Sequence, residues 1–267
     1  MKHRPIGILV NALRHLGADI EYLEEEGFPP LRIKGSELKG GERELSGNVS
    51  CQYISALLMI GPALKNGLKL KLTGDIISRP YIDLTLCTMR EFGAKVEWSD
   101  IDTVSVEPHP YCQRDYLIES DWSASSYWYE MMALCNDKEA EINLPGLMDA
   151  SRQGDSAARY LFSLLSVKSK FNTTTRELPA VITLKRKGRA VPRLDYNFIN
   201  QPDLAQTFVV CCALMELPFR FTGLHSLKIK ETDRMEALKT EMKKLGYVIN
   251  TEDDSIMSWD GERCEPD

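Results

Sequence analysis

Three features are missing from the sequence: a long apolar run, an excess of positive charge and closely paired cysteines. No apolar stretch approaches the roughly 18 to 20 residues that a membrane-spanning helix needs. The 33 Lys and Arg residues are outnumbered by 39 Asp and Glu, for a formal net charge of -6, so the chain lacks the electrostatic footprint typical of a nucleic-acid-binding protein. We therefore expect neither a membrane nor a nucleic acid as partner.

Seven cysteines are present, but none of them forms a CxxC pair. Several lie within apolar stretches, such as Cys211 and Cys212 in the segment 209–214. This placement is typical of buried thiols in a reducing compartment. The first residues also lack the apolar core of a signal peptide, and we expect a cytoplasmic protein.

The chain has 267 residues, of which 43% are hydrophobic. That is enough apolar material for a substantial core, and the length favours two domains over one. Prolines at 108 and 110 suit an extended linker. We therefore predict part of a first domain at residues 1–115 and part of a second domain at residues 116–267.

An internal repeat is visible when the chain is aligned on glycines that end helical patterns. Apolar residues with a period near 3.6 precede Gly17, Gly93 and Gly246, and a short extended segment follows each glycine. Gly93 lies 76 residues after Gly17, and Gly246 lies 153 residues after Gly93, about twice that distance. A further copy is therefore expected near residue 169, where a helical stripe ends at Val167 and Lys168 takes the place of the glycine.

Each unit also contains a second helix that begins with small residues and is followed by a strand ending near a glycine. These helices are predicted at 50–64, 121–135 and 203–215, and the strands at 69–73, 139–144 and 218–222. Together the pieces form a βαβαββ unit of about 75 residues, far longer than a solenoid repeat. The predicted fold class is therefore α+β, with a half unit followed by three such units.

Successive units should bring their helix starts to one surface, and several of these starts are polar. Ser50, Ser78 and Ser151 are explained either as N-caps or as ligand contacts. Arg4 and Arg79 each stand before a proline. Such an arginine is either an ordinary surface residue or one whose guanidinium group points toward the anion-attracting start of the helix. Recurrence of polar starts in every unit favours ligand contacts.

The segment richest in chemistry is Lys230-Glu231-Thr232-Asp233-Arg234, at the start of an amphipathic helix. The helix start attracts phosphate or carboxylate, Lys230 and Arg234 add full charges, and Glu231 is able to move a proton. Acidic residues that only favour a helix start are the alternative explanation. Asp203 is equally ambiguous, since it either caps the helix that follows or serves as a general base held ionised by nearby cations.

Six segments carry a resemblance to a known family. They are Arg4-Pro5-Ile6-Gly7, residues 24–31, Gly47-Asn48-Val49-Ser50-Cys51-Gln52, Ser78-Arg79-Pro80-Tyr81-Ile82, Pro202-Asp203 and Lys230-Glu231-Thr232-Asp233-Arg234. In this order and spacing they resemble the motifs of the 5-enolpyruvylshikimate-3-phosphate (EPSP) synthase family. The resemblance covers almost the whole chain, and it implies six such units in two domains of three, with the active site in the cleft between the domains.

The resemblance implies enolpyruvyl transfer from phosphoenolpyruvate to the 5-hydroxyl of shikimate 3-phosphate, with release of phosphate. The residues expected to contact shikimate 3-phosphate are Ser50, Gln52, Ser78, Tyr81 and Lys230. Arg4 and Arg234 are expected to hold the carboxylate and phosphate of phosphoenolpyruvate.

The catalytic roles implied by the resemblance fall on two carboxylates. Asp203 is expected to take the proton of the 5-hydroxyl, and Glu231 to transfer protons at the enolpyruvyl methylene. No metal or organic cofactor is implied, because cations stabilise the developing charge.

Two positions in the predicted substrate-binding set depart from the family pattern. Cys51 stands where the family has a second serine, and a thiol is a weaker hydrogen-bond donor to phosphate than a hydroxyl. Ser226 replaces an asparagine that contacts the shikimate ring.

Other motifs of the family have no counterpart in these 267 residues. They are an N-terminal Gly-x-Lys-Ser phosphate motif, an Asn-Gly-Thr segment, a His-Arg-Met motif and a late lysine. We therefore expect a central fragment of a synthase that is catalytically inactive by itself. The alternatives are a non-catalytic substrate-binding or scaffold fragment and, less favoured, the related UDP-N-acetylglucosamine enolpyruvyl transferase.

Overall fold

The computed structural model of the protein describes residues 2–173, 175, 178–230 and 232–266. The chain divides into two compact units, Met1–Tyr116 and Leu117–Asp267, hereafter the first and second units. The division lies one residue beyond the boundary that the prolines at 108 and 110 predict. That each unit is a separate folding domain stays a prediction.

The first unit contains α1 to α3 and β1 to β6. The helices are α1 (Gly7–His15), α2 (Cys51–Ile60) and α3 (Arg79–Glu91). The strands are β1 (Asp19–Tyr22), β2 (Leu31–Lys34), β3 (Gly41–Ser46), β4 (Leu68–Thr73), β5 (Val96–Asp100) and β6 (Thr103–Val106).

The larger sheet of the first unit has the order β3-β4-β6-β5. The β3–β4 pair is parallel and the other two pairs are antiparallel. Strand β4 reads Leu-Lys-Leu-Lys-Leu-Thr and alternates buried with exposed residues, so its leucines face the core while its lysines face solvent. Helices α2 and α3 cover the apolar face with side chains such as Leu57, Leu58, Ile82 and Leu86.

The second unit contains α4 to α7 and β7 to β13. The helices are α4 (Trp122–Leu134), α5 (Ala158–Leu164), α6 (Ala205–Leu214) and α7 (Arg234–Lys244). The strands are β7 (Ile142–Leu147), β8 (Val167–Phe171), β9 (Ala180–Arg186), β10 (Leu194–Asn197), β11 (Phe219–Thr222), β12 (Asn250–Glu252) and β13 (Ile256–Trp259). Helices α3 and α4 have 13 residues each, and among the described residues no helix is long and apolar enough to cross a bilayer.

One sheet of the second unit repeats the order found in the first, as β10-β11-β13-β12 with a parallel first pair. The other sheet, β7-β9-β8, has three strands, so the predicted βαβαββ pattern loses its first strand there. The described segment before α4 instead contacts the irregular end of β7, where Ser120 donates from its amide to the Gly146 carbonyl at 2.8 Å. Pro145 lacks the backbone N–H that a strand uses to hydrogen-bond its neighbour, and the register of β7 shifts beside it.

The glycine-ended helices are found as expected, with one correction. Gly17, Gly93 and Gly246 have φ values of 109°, 86° and 85°, a conformation that favours glycine after a helix. In the fourth copy, Ser166 occupies the left-handed position with φ 67°, and Val167 already belongs to β8. The placement of Lys168 at this cap was therefore wrong, because the sequence pattern does not mark a serine forced to positive φ.

Candidate functional site

In the first unit the starts of α2 and α3 lie at the same end of the sheet. Each helix follows a strand, and those strands, β3 and β4, are parallel, so both helix starts lie at the carboxyl ends of the strands. The two preceding loops are joined, since the Ile77 amide donates to the Gly47 carbonyl at 3.1 Å. A Cβ at Gly47 would lie 2.9 Å from the Asp75 carbonyl oxygen, and only glycine permits this close approach.

Ser50 and Ser78 occupy the N-cap positions of α2 and α3, yet within the described chain neither side chain caps its helix. Ser78 is 6% exposed and has φ 53°, a left-handed conformation that is unfavourable for a residue with a Cβ. Both hydroxyls are thus uncommitted to capping, at helix starts whose amides attract anions. This arrangement favours the ligand-contact interpretation over the capping one.

Arg4 lies beside the start of α2. Its guanidinium donates to the side-chain oxygen of Gln52 at 2.8 Å, which brings the first and third predicted motifs together. Cys51, the first residue of α2, is half-buried. Tyr81 lies in the first turn of α3 and donates from its amide to the Ser78 carbonyl at 3.0 Å.

The two arginines that precede prolines behave differently. The Arg79 guanidinium carbon lies 4.0 Å from the centroid of the Trp98 ring, and the same side chain donates to the Ile101 carbonyl at 2.9 Å. The Arg79 side chain therefore stacks on β5 and does not point toward the anion-attracting amides at the start of its own helix α3. Ser151 is also engaged locally, because it donates to Glu119 at 2.7 Å and accepts from the Gln153 amide at 3.1 Å.

In the second unit the parallel strands β10 and β11 place the starts of α6 and α7 at one end in the same way. A short 3-10 helix, Pro202–Leu204, leads into α6, and another, His225–Ile229, leads toward α7. Asp203 accepts a hydrogen bond from Arg234 at 3.0 Å and forms an ion pair with the Lys230 ammonium at 3.3 Å. This cluster of one carboxylate and two cations joins residues that are about 30 positions apart.

The remaining residues of this segment have distinct roles. Asp233 is the N-cap of α7 and accepts from the Glu236 amide at 3.0 Å, so the helix-start explanation holds for Asp233. Ser226 is 7% exposed within the 3-10 helix that precedes Lys230. Glu231, the predicted proton-transfer residue, lies outside the described residues.

The arrangement in the second unit suits acid–base chemistry on an anionic substrate. A carboxylate is able to accept a proton from a substrate that the two adjacent cations hold. The same cations are able to bind phosphate or carboxylate once a ligand displaces their internal contacts. Across residues 2–173, 175, 178–230 and 232–266, no group of three or more His, Cys, Asp or Glu side chains is placed to hold a metal ion.

One residue that contacts the Arg4 segment lies outside the predicted motifs. The Tyr53 hydroxyl donates to the Pro5 carbonyl oxygen. Tyr53 follows Gln52 directly, but helical periodicity gives no sign that an aromatic side chain on α2 will reach the segment before α1.

A comparison with protein families matches residues 1–265 to the family described as EPSP synthase (3-phosphoshikimate 1-carboxyvinyltransferase). The chain belongs to the EPSP synthase family. The predicted family is confirmed.

Curated EPSP synthase relatives are similar along most of this chain. The 3-phosphoshikimate 1-carboxyvinyltransferase of Bacteroides fragilis is 60% identical over 265 residues, which cover 99% of this chain and 63% of the relative. The protein of the same name from Aliivibrio fischeri is 34% identical over 258 residues, which cover 96% of this chain and 58% of the relative. The chain thus spans less than two thirds of the length of these relatives.

A solved EPSP synthase structure from Acinetobacter baumannii has a TM-score of 0.68 and 19% identity to this chain, covering 99% of it and 59% of the solved chain. At that identity the likeness concerns the fold. It confirms the predicted α+β class with an enolpyruvyl transferase fold.

Proposed function

We propose that this chain contributes substrate-binding and catalytic residues to the transfer of the enolpyruvyl group of phosphoenolpyruvate to the 5-hydroxyl of shikimate 3-phosphate, with release of phosphate. The reaction belongs to the shikimate pathway, which leads to chorismate and the aromatic amino acids. Family membership supports the proposal, as do the names of the curated relatives. The observation that carries it is the contact of Asp203 with both Lys230 and Arg234.

The proposed chemistry has two proton transfers at carbon and one at oxygen. Asp203 takes the proton from the 5-hydroxyl while that oxygen forms a bond to C2 of phosphoenolpyruvate, and C3 gains a proton to become a methyl group. The resulting tetrahedral intermediate then loses a proton from C3, re-forms the C2–C3 double bond and breaks the C2–O bond to phosphate. Glu231 is the residue proposed for proton transfer at C3.

The proposed binding residues are cations and polar side chains at or near helix starts. Arg4 and Arg234 bind the carboxylate and phosphate of phosphoenolpyruvate through guanidinium forks. Shikimate 3-phosphate is bound by Lys230, by Ser226 in the segment before it, and by residues from the other predicted motifs: Ser50, Cys51, Gln52, Ser78 and Tyr81.

Charge stabilisation in this proposal comes from the protein itself. Arginine, lysine and backbone amides at helix starts stabilise the charges of the reacting groups, so we propose no metal or organic cofactor. The proposed partners are the two small-molecule substrates, and a cytoplasmic location stays a prediction.

The proposal is tested by titrating the purified chain with shikimate 3-phosphate in a calorimeter. Lys230→Met should weaken binding about ten- to hundredfold, since a hydrogen bond to a charged group contributes roughly 1.5 to 3 kcal/mol. Lys228→Met is the matched control, because Lys228 lies two positions away and pairs with Asp254 at 2.6 Å. Its affinity should equal that of the parent chain.

Two results would contradict the proposal. One is a parent chain that binds no shikimate 3-phosphate at millimolar concentration. The other is equal loss of affinity in Lys230→Met and Lys228→Met, which would indicate a general charge effect instead of a specific contact.

A further inference from the structure

Two neighbouring residues of α2 hold two neighbouring residues that precede α1. Arg4 donates to Gln52, and the Tyr53 hydroxyl donates to the carbonyl oxygen of Pro5. The first contact fixes a guanidinium group, whereas the second fixes the backbone one residue further on. Together they join the Arg4 segment to the start of α2.

The Arg4 segment also has a backbone contact, with the loop between β1 and β2. Residues 2–6 lie outside the helices and strands, and the Ile6 amide donates to the Gly27 carbonyl at 2.8 Å. Tyr53 therefore supplies a side-chain contact to a stretch that regular secondary structure does not hold. Loss of that contact should release the backbone of residues 4–6 before it disturbs α2.

Tyr53 also lies within the electrostatic reach of Arg4. The side chain is half-buried, and this burial raises the pKa of the Tyr53 hydroxyl while the Arg4 cation opposes the rise. The hydroxyl is therefore protonated at neutral pH, which is the state that donates to the Pro5 carbonyl. Tyr53 thus donates to the Pro5 carbonyl while its hydroxyl lies close enough to Arg4 for the cation to act on it.

We propose that Tyr53 is a positioning residue that keeps Arg4 in place to bind phosphoenolpyruvate. The inference rests on the proposed function, which assigns that contact to Arg4. A guanidinium fork binds an anion strongly only when both of its donors are aligned. A backbone that is fixed beforehand lowers the ordering cost of binding and keeps the charge at the right distance.

The test removes the hydroxyl and keeps the ring, with Tyr53→Phe in the full chain. Ser55→Ala is the matched control, because Ser55 lies on the same helix and its hydroxyl pairs with Thr85 of α3 at 2.8 Å. Phosphoenolpyruvate binding is measured by calorimetry with shikimate 3-phosphate present. We expect Tyr53→Phe to weaken binding about three- to tenfold, the range for one neutral hydrogen bond, and Ser55→Ala to retain parental affinity.

A double variant separates positioning from a purely structural role. Because Tyr53 acts through Arg4, adding Tyr53→Phe to Arg4→Ala should cause no further loss of phosphoenolpyruvate affinity. If Tyr53 is only structural, Tyr53→Phe should lower the unfolding midpoint. It should then leave phosphoenolpyruvate affinity unchanged, both in the parent chain and in Arg4→Ala. Amide hydrogen exchange gives a readout without ligand: exchange at Ile6 should accelerate in Tyr53→Phe and not in Ser55→Ala.

Failure of this inference differs from failure of the proposed function. Parental affinity in Tyr53→Phe, together with weakened binding in Arg4→Ala, would overturn the positioning role and leave the proposed function in place. Parental affinity in Arg4→Ala would overturn the role of Arg4 itself, and the inference about Tyr53 with it.

Discussion

Ser78 combines an unfavourable backbone conformation with a hydroxyl that does not cap its own helix. Its φ of 53° lies in the left-handed region, which costs a residue with a Cβ roughly 1 to 2 kcal/mol relative to the right-handed region. Such conformations persist where the surrounding structure determines them, and they concentrate at functional sites. The residue that would relieve the strain is glycine, which lacks the hydroxyl.

Ser78→Gly should therefore stabilise the fold and weaken the proposed binding. We expect a gain in unfolding free energy of up to about 1 kcal/mol, since relief of strain is partly offset by the greater freedom of glycine in the unfolded chain. Affinity for shikimate 3-phosphate should fall about three- to tenfold with the lost hydrogen bond. Urea denaturation and calorimetric titration measure the two effects.

Asp253→Gly is the control for strain relief alone. Asp253 has φ 49° and lies in the exposed turn between β12 and β13, away from the predicted motifs in sequence. It should gain stability with no change in binding. A Ser78→Gly variant that keeps full affinity would remove Ser78 from the proposed site.

Residue types were predictable from the sequence, but side-chain directions were not. Arg4 and Arg79 both precede a proline, and only local context distinguishes them. Arg4 meets Gln52, which is 48 positions away, whereas Arg79 meets Trp98 on β5, the strand that follows its own helix. The outcome depends on which distant side chain the fold delivers to each helix start, and helical periodicity carries no such information.

At the scale of elements, helix ends were predictable where glycine marks them. Gly17, Gly93 and Gly246 end their helices in the conformation that glycine favours. Ser166 takes the left-handed position after α5 without that signal, so the cap of this helix was predicted two residues too late. The absence of the predicted first strand beside β7 was also not predictable. Pro145 disturbs pairing only with the strand that lies next to it, and the sequence does not show which strand that is.

Helix α4 carries a carboxyl group in an unfavourable position. Glu130 is half-buried, and burial raises its pKa to about 7 from an ordinary value of 4.5. As pH rises above 4.5, the unfolded chain loses this proton while the folded chain retains it until about pH 7. The folded state is therefore progressively destabilised between these values, and the penalty is constant above them.

Glu130→Gln should remove that penalty. The variant should be close to the parent chain in stability near pH 4 and more stable above pH 7, by about 1 to 2 kcal/mol, because partial exposure reduces the full effect of the shift. Urea denaturation at pH 4, 5.5, 7 and 8.5 checks the prediction. Glu139→Gln, an exposed residue after the same helix, should follow the parent curve, and a gain in Glu130→Gln that does not vary with pH would contradict the explanation.

At the scale of the whole molecule, the repeat accounts for where chemistry is concentrated. The sheets β3-β4-β6-β5 and β10-β11-β13-β12 share one topology, and in each a parallel first pair places two helix starts at one end. The same structural rule therefore brings the starts of α2 and α3 together in one unit and Asp203 to Lys230 in the other. The spacing of glycines predicts this grouping, although it does not predict the individual contacts.

The sequence motifs also bear on what the 267-residue chain does alone. We expect it to release no phosphate above background from phosphoenolpyruvate and shikimate 3-phosphate. The resemblance implies further cationic and phosphate-binding motifs without counterpart here. Loss of several charged contacts, at roughly 1.5 to 3 kcal/mol each, lowers a rate by several powers of ten. The measurement is a phosphate-release assay at high protein concentration, beside the Bacteroides fragilis relative as a positive control. Turnover by the chain that Asp203→Asn abolishes would contradict this expectation, and it would show that the residues present are sufficient for the proposed reaction.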